Sequence, residues 1–346
     1  MNINLLNTEQ QSLLSQAIGV AEKIVVCTHV SPDGDAIGSS LGWKGYLEQQ
    51  GKQVTVCVPD QFPDFLVWLP GAKSILRHDK YADAVQKAFD EADLIFCLDF
   101  NTPSRLRDME HVLTECAAPK IMIDHHPSPD IDTILTISYP SLCSTSELVF
   151  DLIWQLGGYD TMTKEMAVCI YCGMMTDTGG FVYNSNTPEI YFIISQLLVK
   201  GIDKDKIYRK VYWTFSENRL RLQGHVLLKK MHVVREIHAA WFTLSKQDML
   251  RFRYKKGDAE GLVNMPLQIN GMRLSISLRE DTEKENCIWV SLRSVDDVNC
   301  TEIANRFFNG GGHKNASGGH LYCSLEEAEI IVQKALIAFA DKIKGS

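Results

Sequence analysis

The sequence predicts an α/β protein: an N-terminal doubly wound, mainly parallel sheet followed by a smaller C-terminal domain of mixed α/β character. Three observations carry that expectation. Four short, continuously apolar runs in the first 125 residues end in polar residues; helical patterns separate them; and a second series of strand-like runs begins only near residue 239. Apolar strands alternating with helices are buried on both faces, as strands of a parallel sheet covered by its own crossover helices must be.

In chain order, the strands of the first part fall at residues 24–29, 54–58, 94–99 and 121–125. Helices are expected over 35–50, closed by Gly51, and over 81–92. From Ser144 to about Gly201 the pattern turns helical, opened by Ser144-Thr145-Ser146-Glu147, a helix N-terminal signature ahead of the apolar run 148–153. Residues 203–234 read as a long, charged, helical connector, with the domain boundary near 200–225. Beyond it, strands are expected at 239–244, 273–278 and 288–292, then a helix from Thr301, a Gly-rich loop and a C-terminal helix from Leu325.

The 346 residues are enough for two domains, and 45% hydrophobic with 23% charged residues is ordinary for a globular chain. The formal charge of -8 argues against a long basic track for polymeric nucleic acid, although a metal site and a few Arg can reverse the sign locally. The N-terminus has neither a basic nor an apolar leader segment, and no window is apolar enough for a membrane span, so no membrane association is expected. Ten Cys scattered through apolar segments point to a reducing cytoplasm. The one C-x-x-C, Cys169 to Cys172, lies in an apolar helical stretch and reads as packed core.

The polar strand ends carry the chemistry. In doubly wound sheets ligands bind at the carboxyl ends of the strands, and His29, Asp99 and His125 each fall at such an end. His29-x3-Asp33-x-Asp35 puts an imidazole and two carboxylates on one strand-to-helix turn, with Gly34 allowing the bend. These ligands suit manganese or magnesium better than a thiolate-rich structural zinc site. An EF-hand fails, because Ile37 and Lys44 occupy ligand positions; a plain Asp-Gly turn is the other reading. Asp99 ends a near-wholly apolar strand, where an isolated carboxylate would be costly unless paired or metal-bound. His125 and His126 are adjacent and so point in different directions. Asp177 stands at a helix end before Gly179-Gly180.

This set, with Asp124-His125-His126 at its centre, resembles the four motifs of the DHH phosphoesterases, in that family's order over residues 24–181. The family includes RecJ-like exonucleases, family II inorganic pyrophosphatases and nanoRNases. The resemblance implies two divalent metals, manganese first and magnesium or cobalt as alternatives. It implies that His29 and Asp33 bind one, that Asp35, His125 and Asp177 bind the other, and that Asp99 bridges both. The same resemblance gives catalytic roles to Asp99, to His126, on the substrate phosphate or the departing oxygen, and to Asp124, which would orient a histidine.

In the second domain, Gly310-Gly311-Gly312-His313-Lys314-Asn315-Ala316-Ser317-Gly318-Gly319 permits close approach of backbone N–H groups to an anion, yet lacks the ending of a P-loop. A flexible linker is its bland reading. The segment resembles the signature of the DHH-associated domain, and Ser291-Leu292-Arg293-Ser294 resembles that domain's arginine strand. The resemblance implies that Arg293 and His313 bind a substrate phosphate beside Gly311, Gly312 and Ser317. Arg105 is a further candidate from the catalytic side, equally readable as a solvated helix charge. Phe181, Tyr183 and Phe307 could stack on a base, but each reads first as core.

Residues 1–200 are thus expected to form the DHH catalytic domain, 201–225 a helical linker and 226–346 the DHH-associated substrate-binding domain, with the active site in the cleft between domains. The layout resembles nanoRNases and phosphatases of 3′-phosphoadenosine-5′-phosphate (pAp). The expected activity is a manganese-dependent, exonuclease-type hydrolysis of very short RNA oligonucleotides to nucleoside monophosphates, with removal of the 3′-phosphate of pAp as a companion reaction. The alternatives are a cyclic or linear dinucleotide phosphodiesterase, an exopolyphosphatase or pyrophosphatase, and a non-hydrolytic RNA-binding module. The complete ligand set speaks against the last. Oligomeric state is not readable from the chain.

Overall fold

The computed structural model describes residues 4–345. The chain divides into two units, one ending at Thr214 and the other starting at Phe215.

The first unit opens with α1 (Thr8–Val20), started by a capping box between Asn7 and Gln10. There follow β1 (Lys23–Cys27), α2 (Gly34–Gln49), β2 (Gln53–Val58), β3 (Leu76–Arg77), α3 (His78–Asp90), β4 (Leu94–Leu98), α4 (Glu110–Glu115), β5 (Lys120–Asp124) and β6 (Leu135–Ser138). Helices α5 (Thr145–Gln155), α6 (Lys164–Asp177), α7 (Pro188–Val199) and α8 (Lys204–Tyr212) complete the unit. The strands form one six-stranded sheet, β3-β2-β1-β4-β5-β6, parallel throughout. Ile24 of β1 pairs with Val54 on one side and Leu94 on the other. The chain therefore builds outward one way from β1 and the other way from β4. The order reverses between these two strands, and sheets of this class bind ligands in the crevice at such a switch point. Asp99 directly follows β4, and His29 stands two residues beyond β1, the two strands that flank it.

Every residue of β4 is buried, and Phe96 meets the edge of Trp43 from α2 at 5.3 Å between ring centroids. Helix α2 is buried along most of its length because α6 presses on it from the side away from the sheet. Glycines spaced four apart make this contact close. A Cβ at Gly38 would lie 2.5 Å from the Cys169 carbonyl oxygen, and one at Gly42 would lie 2.7 Å from the Ile170 side chain. Gly34 faces Thr176 near the end of α6, so the two helices run antiparallel. The start of α2, with Asp33 and Asp35, thereby meets the end of α6, with Asp177. Cys169 and Cys172 are both buried in this packing, and all ten cysteines are free thiols.

The second unit contains α9 (Glu217–Lys229), β7 (Met231–Val234), β8 (Ala239–Leu244), α10 (Lys246–Arg251), β9 (Leu274–Glu280), β10 (Cys287–Ser294), α11 (Cys300–Phe307), β11 (Gly311–His313), β12 (Ala316–Tyr322), α12 (Leu325–Ala338) and α13 (Ala340–Lys344). Its six-stranded sheet, β11-β12-β10-β9-β8-β7, is mixed: β8 and β9 are parallel and the other pairs antiparallel. α11, α12 and α13 contribute Ile303, Val332 and Ile343 to its main core.

Two segments differ from the sequence reading. The stretch 203–234 is not one helical connector. It breaks after α8, Ser216 caps α9 by accepting from the Arg219 amide, and Met231–Val234 forms an edge strand against β8. The Gly-rich segment is not a loop but the hairpin β11–β12, in which Gly311 pairs with Gly318 and Gly312 with Ser317. Glycine is required there by crowding: a Cβ at Gly310 would sit 1.9 Å from the Gly318 carbonyl oxygen. Among the described residues, no helix is long and apolar enough to cross a membrane.

Candidate metal centre

Each site residue of the first unit is delivered by an element end. β1 runs into His29, whose Nδ1 lies 2.8 Å from the Val30 carbonyl oxygen. A carbonyl only accepts, so Nδ1 carries the proton and Nε2 is the bare nitrogen. It points at Asp99 Oδ2, 3.4 Å away. The loop beyond is pinned by Asp60, which accepts from the Ser31 amide at 2.6 Å. Asp33 is the N-cap of α2, one oxygen accepting from the amides of Asp35 and Ala36. The cap uses Asp33 Oδ1, and the start of α2 turns Asp35 toward α5.

Asp99 follows β4 with φ at +64°, a left-handed conformation uncommon outside glycine and asparagine. Its amide donates to the Ile123 carbonyl at 3.1 Å, which holds the turn against β5. Strain of this kind gathers at functional sites. Asp124 ends β5, and its Oδ1 lies 2.7 Å from His126 Nδ1. The other oxygen of Asp124 is buried without a hydrogen-bond partner. His125 turns its Nδ1 to the Leu142 carbonyl at 3.3 Å and its Nε2 to Asp99 and Asp177, each at 3.6 Å.

The structure thus gathers ligand atoms of His29, Asp33 and Asp99 in one group and of Asp35, His125 and Asp177 in another, each within 4.8 Å. A third group joins Asp99, Asp124 and His126. Asp99 stands between them: His125 lies 3.6 Å and His126 3.8 Å from its Oδ1, opposite the oxygen facing His29. The Asp99 carboxyl is pushed well above the usual carboxylate range, by burial first and then by the charges of Asp35, Asp33, Asp124 and Asp177. Burial likewise raises Asp35. Crowded carboxylates, with Asp35 and Asp99 buried, Asp33 half-buried and Asp177 exposed, faced by bare imidazole nitrogens are the donor set of a divalent-cation centre. The residues present fit such ions, and no thiolate takes part.

Arg105 is exposed on the 3-10 turn Pro103–Met109, whose Arg105 carbonyl accepts from the Val30 amide at 2.8 Å. Its charge reaches the centre: burial lowers the pKa of His29, and Arg105 lowers it further against the pull of Asp33.

Sequence reasoning missed the start of α5. The Thr145 amide donates to Asp35 Oδ2 at 2.7 Å, the Ser146 amide to Asp35 Oδ1 at 2.8 Å, and the Thr145 hydroxyl to Asp99 Oδ1 at 2.9 Å. The capping signature announced unpaired donors there, but nothing local named their acceptors. Gly173 was missed as well: a Cβ there would stand 1.9 Å from Ser146 Oγ and 2.9 Å from Asp35 Oδ1.

In the second unit, the other candidates share three adjacent strands. Arg293 of β10 and His313 of β11 both pair in register with Ala316 of β12. Directly paired residues share a sheet face, so the guanidinium and the imidazole flank a small residue at roughly 10 Å between backbones. Gly311 and Gly312 form the edge beside them. Ser317 is buried, its hydroxyl donating to the His313 carbonyl at 2.9 Å, so it shapes the hairpin. Of the aromatic residues, Phe181 packs on Tyr171 and Phe307 on Phe339. Tyr183 departs from the expectation of core: it is 44% exposed, with its ring against Gly179.

Two family profiles match the chain, "DHH family, N-terminal domain" over residues 23–174 and "DHHA1 domain" over residues 239–342. A Thermus thermophilus protein named bifunctional oligoribonuclease and PAP phosphatase NrnA is 31% identical over 324 residues, 90% of this chain and 89% of the relative. A Bacteroides fragilis crystal structure, described as an exopolyphosphatase-related protein, superposes with a TM-score of 0.93 at 51% identity over 98% of both chains. RecJ from Thermus thermophilus in complex with Mn2+ superposes with a TM-score of 0.57 at 13% identity, over 98% of this chain and 56% of RecJ, a likeness of fold alone.

Proposed function

The chain belongs to the DHH family, in the branch that carries a DHHA1 domain, and from that premise we propose that it is a two-metal phosphoesterase acting on very short RNA. It hydrolyses oligonucleotides of a few residues to nucleoside monophosphates and also removes the 3′-phosphate of pAp. The observation that carries this reading is the pairing of two ligand groups, His29/Asp33/Asp99 and Asp35/His125/Asp177, around the single carboxylate of Asp99. The printed name of the Thermus thermophilus relative supports the substrate class.

In this reading His29 and Asp33 would hold one cation, Asp35, His125 and Asp177 would hold the other, and Asp99 would serve both. Manganese is the proposed ion, since mixed carboxylate and imidazole ligands suit it. When bound, two such ions supply a water of lowered pKa and charge neutralisation on the phosphoryl oxygens. The protein's own groups do the rest. His126 is held by Asp124 through Nδ1–H; only the imidazolium, which carries a second proton on Nε2, can give a proton to the departing oxygen, and it is left as the neutral ring with Nδ1–H still on Asp124. Arg105 adds positive charge at the His29 side. In the second unit, Arg293 and His313 grip a substrate phosphate from one sheet face, with the hairpin amides beside them. The ten free thiols support a cytoplasmic setting.

A second reading, polyphosphate hydrolysis, is favoured by the description of the Bacteroides fragilis protein. One panel separates the two. With manganese supplied, labelled RNA dinucleotide, pentanucleotide, long single-stranded RNA, pAp, cyclic di-AMP, pyrophosphate and polyphosphate are offered in parallel. Rapid release of mononucleotides from the shortest RNAs is the expected result. Turnover of polyphosphate or cyclic di-AMP alone would overturn the substrate assignment and keep the metal chemistry.

A further inference from the structure

We propose that Thr145 is a positioning residue of the metal centre, its hydroxyl fixing the Asp99 carboxylate and its backbone amide, with that of Ser146, fixing Asp35. The inference rests on the two-cation reading and extends it to residues that bind no cation themselves.

The start of a helix leaves amides without partners inside the helix. In α5, Ser144 satisfies the Glu147 amide. The two amides before it, of Thr145 and Ser146, both go to Asp35, one to each oxygen. The Thr145 hydroxyl goes instead to Asp99 at 2.9 Å. A carboxylate only accepts, so the hydroxyl is the donor and its proton direction is set.

Three features make this contact more than incidental. Thr145 is fully buried, so no solvent stands ready to replace a lost hydroxyl. Its branched Cβ restricts the side chain to few rotamers, so the hydroxyl is held where the helix start puts it. And Asp99 sits among like charges, which would otherwise turn its carboxylate away from Asp35 and Asp33. One hydrogen bond uses one lone pair of Oδ1 and leaves the second, and both pairs of Oδ2, open toward the two ligand groups. The positive end of the α5 dipole acts in the same sense on Asp35 and Asp99 together. One helix end thus orients the carboxylate assigned to both cations and one assigned to the second.

The test compares Thr145→Val, which keeps the shape and removes the hydroxyl, with Thr145→Ser, which restores it. Thr145→Ala replaces Thr145→Val if that variant does not fold. Metal-stripped full-length protein is titrated with Mn2+ by calorimetry below the unfolding temperature, and kcat and KM are then measured on RNA dinucleotide. The expected result is two cations bound by the parent protein and roughly 10- to 100-fold weaker binding of at least one by Thr145→Val. The same variant should lose kcat while KM changes little, and Thr145→Ser should stay near the parent. A variant without the hydroxyl that binds manganese as tightly as the parent overturns the role of Thr145. So does a serine variant as weak as the valine one. A parent protein that binds fewer than two cations overturns the two-cation reading itself.

Discussion

Asp124 Oδ1 stands 2.7 Å from His126 Nδ1, a buried carboxylate joined to the less buried of the two adjacent histidines. The contact ties Nδ1 of His126 to the carboxylate that ends β5. His126→Ala should lower kcat by roughly a hundredfold or more, the usual worth of a placed acid. Asp124→Asn should cost about ten- to a hundredfold, since it disturbs orientation and leaves the ring. Single-turnover hydrolysis of RNA dinucleotide checks both, and a His126→Ala enzyme of parental rate would remove His126 from the chemistry.

Asp99 carries two burdens, a left-handed backbone and a carboxylate. Asp99→Asn removes the charge but keeps a residue that tolerates this conformation, whereas Asp99→Ala adds backbone strain on the order of 1 kcal/mol. Both variants should lose turnover by at least about a hundredfold. Only the alanine variant should also show a lower melting temperature in excess chelator. Near-normal activity of Asp99→Asn with manganese would end its assignment to both cations.

The proposed function assigns Arg293 to the substrate and not to the cations. Its removal should raise KM for RNA dinucleotide by roughly 10- to 100-fold, the range of a charged hydrogen bond, and leave kcat within a few-fold. Steady-state kinetics on the dinucleotide, with Mn2+ affinity measured beside it, decide the matter. A fall in kcat at unchanged KM would move Arg293 from capture to chemistry.

Asp151 lies buried in α5 with Oδ1 unpartnered, and its carboxyl is pushed up to about 8 by burial first and then by Glu147 and Glu189. The folded protein therefore keeps this proton over a range in which the unfolded chain has released it. Stability from this group is full below the ordinary carboxylate pKa and is lost as pH rises toward about 8. Asp151→Asn should melt several degrees above the parent at pH 8, by a gain on the order of 2 kcal/mol, with a much smaller difference at pH 5. An equal difference at both pH values would refute the buried-charge account.

The sheet and the turns that carry the candidate ligands were legible because both are written locally. Continuous apolar runs marked β1, β2, β4 and β5, and an acid or imidazole at the end of such a run has little reason to stand there except for a ligand. Leu76–Arg77 and Leu135–Ser138, which became β3 and β6, are too short for any period to emerge. Met231–Val234 looked helical because it continues a basic, mixed stretch, and only pairing with β8 makes it a strand. The glycines at 310–319 announced crowding but not its cause, which is cross-strand backbone contact. The donation from Thr145 to Asp99 joins residues 46 apart in the chain, and no spacing rule reaches that far. Tyr183 was misjudged because an aromatic side chain is apolar whether or not the fold covers it.

The proposed cation ligands come from the ends of β1, β4, β5 and α6 and the start of α2, and α2 and α6 are locked together by backbone contact at Gly38. No short stretch of the unfolded chain reproduces that set, so a divalent ion bound there should recognise the native state almost exclusively. Ion occupancy then becomes a thermodynamic brace for the whole first unit. At a free ion concentration about a hundred times the dissociation constant, each ion adds roughly 2.7 kcal/mol by mass action. On the two-cation reading, a cell that withdraws the divalent ion would slow the enzyme and also shift its folding equilibrium, so the same shortage would lower both its rate and its abundance.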